Sequence, residues 1–248
     1  QHGYSVFSAN SHESHLREEQ AIENFISMHV DGIIACLAQD TIDYSHFEQL
    51  YDMDMPLVFF ARTCLPEKFS HVVGNGDEAA YEATKHLLET GSRRIAFIGG
   101  PNHLDMVKRR KHGYLQALRD ERIAIDRDLV VCDKIDFDVA RNATLKLLQM
   151  KNRPDAILAF NDILTYAAFD AIKSMNFNIP KDVAIIGFTD GDNAAFVTPT
   201  LSAIMDQAHE QGVTACDLLL KRIRGDKKIY QKIVPMSLKI RESSEKNL

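Results

Sequence analysis

The sequence has no tryptophan, only 12 glycines and 7 prolines in 248 residues, and no tract of one residue type. That excludes collagen-like, solenoid and disordered classes, and with 45% hydrophobic and 26% charged residues the chain can bury a sizeable core. No apolar run approaches the roughly 20 residues that cross a bilayer. Gln1-His2-Gly3 opens neither a basic segment nor an apolar signal core, so no membrane partner and a cytoplasmic location are expected. The four cysteines, Cys36, Cys64, Cys132 and Cys216, form no C-x-x-C. Neither a local zinc site nor a dithiol is encoded, and small buried thiols in a reducing compartment are the expectation. An excess of basic charge is missing too: the net charge of −6 repels phosphate, so any nucleic acid would have to be touched by another segment.

Catalytic signatures are absent as well. There is no G-x-S-x-G elbow, no H-E-x-x-H and no G-x-x-x-x-G-K-[ST]. Gly74-Asn75-Gly76-Asp77-Glu78-Ala79 matches G-x-G-x-x-A, which leaves a nicotinamide-dependent oxidoreductase as a minor alternative. The strand before it, Val72-Val73, is very short, and Asp77 has an ordinary use at the positive end of a helix. His12 and His15 are spaced to share a helix face, but no acidic or sulfur ligand lies in register beside them. The basic run Lys108-Arg109-Arg110-Lys111 spreads around a helix, so one or two of its members at most face any cleft.

What is present is a regular alternation. Short apolar runs at about 3–9, 31–38, 56–62, 94–99, 155–160 and 183–188 read as strands. Several lack polar alternation, as strands covered by helices on both faces require. Helical periodicity fills 13–29, 77–90, 105–120, 139–150, 162–175 and 208–224. In the first of these Leu16, Ile22, Phe25, Ile26 and His29 form the inward face, and Arg17, Glu18, Glu19 and Glu23 the outward one. The pattern predicts an α/β protein of doubly wound, mostly parallel sheets.

In such sheets ligands bind just outside the carboxyl ends of the strands. Three strand ends carry suitable groups: Phe60-Ala61-Arg62, Phe160-Asn161-Asp162 and Phe188-Thr189-Asp190-Gly191-Asp192. Amide, carboxylate and guanidinium together suit a small polyhydroxylated or carboxylated ligand. Each also has a structural use: Asp162 as a helix cap, Asp190 or Asp192 in an Asx turn, and Arg62 paired with an acid.

Longer stretches are familiar in combination. Val30-Asp31-Gly32-Ile33-Ile34, Pro56 to Arg62, Ala79 to Pro101, Arg110-Lys111-His112-Gly113-Tyr114, Pro154 to Asp162, Val183 to Phe188 and Pro199-Thr200-Leu201-Ser202 occur in order over almost the whole chain. Together they resemble the effector-binding core of the lactose-repressor/galactose-repressor family of bacterial transcriptional regulators. The resemblance implies a two-lobed fold like that of periplasmic sugar-binding proteins, with an effector between the lobes. The first lobe would be 1–74 plus 207–224, and the second 75–206 plus 225–248.

By the same resemblance Arg110 and Asn161 grip the effector, and Phe137 stacks on a sugar. Phe60, Arg62, Phe160, Thr189 and Asp190 complete the implied binding set. Many sugar-responsive members carry an acid where this chain has Ala61, and an acidic pair where it has Thr189-Asp190. A sugar acid or sugar phosphate therefore fits as well as a simple sugar. The resemblance also implies a homodimer, no cofactor, no metal and no catalysis, with operator DNA contacted through a helix-turn-helix head not present in this sequence. Gln1 to Tyr4 would begin the family's second strand, and the missing first strand would lie between 3–9 and either 31–38 or 56–62. A periplasmic-type sugar-binding protein is the alternative within the same fold.

Overall fold

A computed structural model describes residues 3–189 and 192–246. The chain divides into two compact units, residues 1–73 with 212–232, and 74–211 with 233–248.

In the first unit α1 (His15–Ser27) leads to β1 (Ile33–Ala35), α2 (Ser45–Asp52) and β2 (Leu57–Phe60). β3 (Ser70–Gly74) carries the chain into the second unit. The sheet order is β1-β2-β3 followed by a late strand at Gln231–Val234, and the β1–β2 and β2–β3 pairs are parallel. Leu57, Val58 and Phe59 are buried, and Phe59 meets Phe47 and Phe69 edge to face, so the apolar run becomes a covered central strand.

The second unit runs α3 (Gly76–Glu89), β4 (Ile95–Gly99), α4 (Asp105–Asp120), β5 (Val130–Cys132), α5 (Phe137–Leu148), β6 (Ala156–Ala159), α6 (Asp162–Ser174), β7 (Ala184–Phe188) and β8 (Ser202–Met205). α7 (Ala208–Ile223) leads back to the first unit, β9 (Gln231–Val234) returns, and β10 (Ser237–Lys239) pairs antiparallel with β8. The order of this sheet is β10-β8-β7-β6-β4-β5, parallel except for β10. β4, β6 and β7 are buried throughout, and each fully buried Ile, Leu or Phe contributes about 1.5–3 kcal/mol. α3 packs on α4 and α5 on α6. The α3–α4 approach is so close that a Cβ on Gly113 would lie 1.9 Å from the Asp77 carbonyl oxygen.

The architecture is the expected doubly wound one, with local differences. Residues 3–9 form no strand, and Val6 and Phe7 stand exposed at 90% and 58%. β1 pairs directly with β2, Ile33 opposite Leu57. The inward face of α1 is also rotated from the expected one: Glu18 is buried and Leu16 is exposed. Glu18 turns inward because its carboxylate accepts from Ala38 N at 2.6 Å and from Thr41 Oγ1 at 2.7 Å. Residues 225–232 stay with the first unit, where Tyr230 accepts from His71 N at 2.9 Å and donates from its own N to Ser70 Oγ at 2.9 Å. Residues 207–211 stay with the second, where Gln211 Nε2 donates to the Asp206 carbonyl at 2.6 Å.

Candidate effector site

β4 pairs with β5 on one side and β6 on the other, so the connections leaving the ends of β4 and β6 diverge. In open α/β sheets such a divergence marks where ligands bind, just outside the carboxyl ends of the strands. Arg110 is placed there by α4, whose buried stripe runs Val107, Arg110, Tyr114, Ala117 and Leu118. It is only 1% exposed, a place arginine rarely takes without partners.

The partners are specific. Arg110 Nη1 donates to the Phe160 carbonyl at the end of β6, and Nη2 donates to Asp206 Oδ1 at 2.8 Å. The guanidinium carbon lies 3.7 Å from the centre of the Phe188 ring and 4.9 Å from that of Phe160. Gly76 gives its stem room, since a Cβ there would sit 3.1 Å from Arg110 Cγ. Burial pulls the Arg110 pKa down, and the Asp206 carboxylate opposes that pull. Nε remains buried without a hydrogen-bond partner, an unmade bond that costs about 1–3 kcal/mol.

The rest of the basic run points elsewhere. Arg109 pairs with Asp105 at 2.6 Å, and Lys111 bonds Asn102. Asn161, rather than Asp162, caps α6 by accepting from Leu164 N at 3.0 Å, and Asp162 is exposed. Phe160 and Thr189 are buried, with Thr189 N donating to the Ile204 carbonyl at 3.0 Å. Phe137 opens α5 and is 41% exposed, a free ring face on a helix capped by Asp136. Asp190 lies outside the described residues.

Phe60 and Arg62 belong to the first unit, where Phe60 is half-buried at the end of β2. Arg62 holds Glu13 with both ends of its fork, at 2.8 and 2.7 Å. Burial works against both charges, but this bidentate pair outweighs it, raising the Arg62 pKa and lowering that of Glu13. Sequence reasoning missed Asp206. The signal for it was an acid directly after the short apolar run at Ser202–Met205.

The glycine turn at 74–76 is filled. A Cβ on Gly74 would lie 2.0 Å from Met236 Cε, and Gly76 faces the Arg110 stem. These glycines serve internal packing against Met236 and Arg110.

A family model for the periplasmic binding protein-like domain matches residues 84–244. The chain belongs to that family. Among its relatives is the HTH-type transcriptional repressor PurR of Aliivibrio salmonicida, 27% identical over 234 residues that cover 94% of this chain and 70% of the repressor. The crystal structure of a regulatory protein of the LacI family from Chloroflexus aggregans is 27% identical, with a TM-score of 0.80, covering 96% of this chain and 84% of the other. A complex of the transcriptional regulator CelR with cellobiose is 27% identical, with a TM-score of 0.84, covering 93% of this chain and 71% of CelR. This periplasmic binding protein-like domain is an effector-binding core of the lactose-repressor/galactose-repressor type, and its relatives are transcriptional repressors. No helix among the described residues is long and apolar enough to cross a membrane.

Proposed function

We propose that this chain senses a small sugar-like effector for a bacterial transcriptional regulator, acting by binding without chemistry in the cytoplasm. The observation that carries this reading is the buried Arg110, held by Phe160 and Asp206 at the strand ends and left with one unpaired donor. An unpaired N–H beside two aromatic rings suits a ring-shaped ligand bearing oxygens. In this reading Arg110, Phe160, Asn161, Thr189 and Asp190 contact the effector, Phe137 offers a stacking face, and Asp206 orients Arg110. Within the first unit Phe60 and Arg62 are candidate contacts of their own, Arg62 only after releasing Glu13.

The ligand class is a sugar, sugar acid or sugar phosphate, and the cellobiose held by CelR supports a saccharide. An effector that prefers one conformation shifts the population toward it and so changes how a paired DNA-binding head is presented. Two heads require a homodimer. A thermal-shift screen over sugars, sugar acids and sugar phosphates tests the sensing role, and sedimentation tests the dimer. A saturable rise in melting temperature with one class supports the reading. Turnover of a nicotinamide cofactor would replace it with the oxidoreductase alternative.

A further inference from the structure

The first unit gathers a second polar cluster, on α1 and α2. His15 opens α1, Glu18 lies one turn further along the same face, and His46 is the second residue of α2. One ligand atom from each of the three lies within 4.8 Å of the other two. His46 Nε2 is 3.0 Å from Glu18 Oε1, and the two imidazoles meet edge to face with centres 5.0 Å apart. Glu18 and His46 are 6% and 5% exposed, while His15 is half-buried and gives access from solvent.

Three hydrogen bonds satisfy the Glu18 carboxylate, from Ala38 N, Thr41 Oγ1 and His46 Nε2. The imidazoles are not satisfied in turn. Nδ1 of His15 and Nδ1 of His46 are both buried without a partner, whereas buried side-chain nitrogens of a purely structural network are ordinarily paired. A neutral His46 that donates from Nε2 carries its bare lone pair on Nδ1. A further carboxylate lies at the start of α1, where Asp40 Oδ1 accepts from His15 N at 2.5 Å.

We propose that His15, Glu18 and His46 bind a divalent transition-metal ion of the zinc class, with water in the fourth position. Two imidazoles and one carboxylate are a donor set that suits zinc, and they leave a net charge of only +1 at the site. The ion takes the place of the proton that His46 Nε2 shares with Glu18, and that proton moves to Nδ1, which keeps the imidazole neutral. Zinc bonds of about 2.0–2.2 Å bring tetrahedral ligands to about 3.3–3.5 Å from one another, so the three groups need only small adjustments to close on an ion. Because the His46 Nδ1–H then has no acceptor, the affinity lies about 10–100-fold below that of a site with a complete outer shell. The ion ties the first turn of α1 to α2 and so stabilises the first unit.

The test uses the whole chain, stripped with a chelator and titrated with zinc chloride by calorimetry and thermal denaturation, and with cobalt chloride by visible absorption. Wild type should bind one ion, melt at a higher temperature with zinc and show the d–d band of tetrahedral cobalt. His15→Ala, at a half-buried helix start, should fold and lose at least about tenfold in affinity. His46→Gln, which keeps a donor toward Glu18, should lose the cobalt band. No saturable zinc binding by wild type would overturn the proposal. So would a binding curve unchanged in both variants, which would place the ion on other histidines.

Discussion

Each unit turns one charged side chain inward, and the two are satisfied in opposite ways. In the second unit Arg110 is held by one carbonyl, one half-exposed carboxylate and two rings, and an N–H remains unpaired. In the first unit Glu18 is fully bonded, and the unpaired atoms are the nitrogens of the imidazoles beside it. An unpaired donor calls for a ligand rich in oxygen, whereas two imidazoles next to a carboxylate suit a cation. Both units are mostly parallel α/β sheets, so what each can bind is decided by side chains at the ends and edges of the sheets rather than by the fold.

The contrast is broken most severely by removing the inward carboxylate of the first unit. Glu18→Ala leaves Ala38 N and the Thr41 hydroxyl without their acceptor and should cost about 3–5 kcal/mol in urea denaturation, in the range for a broken buried polar pair. A loss under 1 kcal/mol by that measurement would mean that water replaces the carboxylate and that α1 is not stapled there. In the second unit the corresponding weak point is packing. Gly113→Ala drives a methyl group into the Asp77 carbonyl and should cost about 1–3 kcal/mol, read from the same denaturation curves.

A milder perturbation sharpens the comparison through pH. Burial favours the neutral form of Glu13, but its bonds to Arg62 and to Gln39 N hold the carboxyl below its ordinary value of 4.5. A depressed carboxyl contributes stability that is complete above that ordinary value and is lost as pH falls through the lowered one. Melting temperatures followed below pH 4.5 should therefore drop less steeply in Glu13→Gln than in wild type. Parallel curves would show that the Arg62–Glu13 pair does not stabilise the first unit.

Much of the fold was legible because buried parallel strands announce themselves as apolar runs; 94–99 and 183–188 differ from the observed strands by a residue or less at either end. The segment 3–9 carries the same signal in Tyr4, Val6 and Phe7 but pairs with no strand among the described residues, and composition does not report whether a neighbour is present. The inward turn of Glu18 was hidden for a related reason. Its donors come from 38, 41 and 46, more than a dozen residues away, and an acid on an amphipathic helix otherwise reads as solvated. At the candidate site, Arg110 could be singled out from its basic run only with the resemblance in hand. Asp206 follows a four-residue strand too short to stand out from sequence.

In the proposed sensing role Arg110 is the group to which an effector binds. Arg110→Met keeps much of the stem volume among Gly76, Phe160 and Phe188, and leaves a partly solvated Asp206, so its stability should stay within about 1.5 kcal/mol of wild type. Calorimetric titration of both proteins with the sugar, sugar acid or sugar phosphate that shifts the wild-type melting temperature is the most direct measurement. Arg110→Met should lose about 1.5–3 kcal/mol in binding free energy, the range for a charge-assisted hydrogen bond. Equal affinity in the two proteins would contradict it and place the effector away from Arg110.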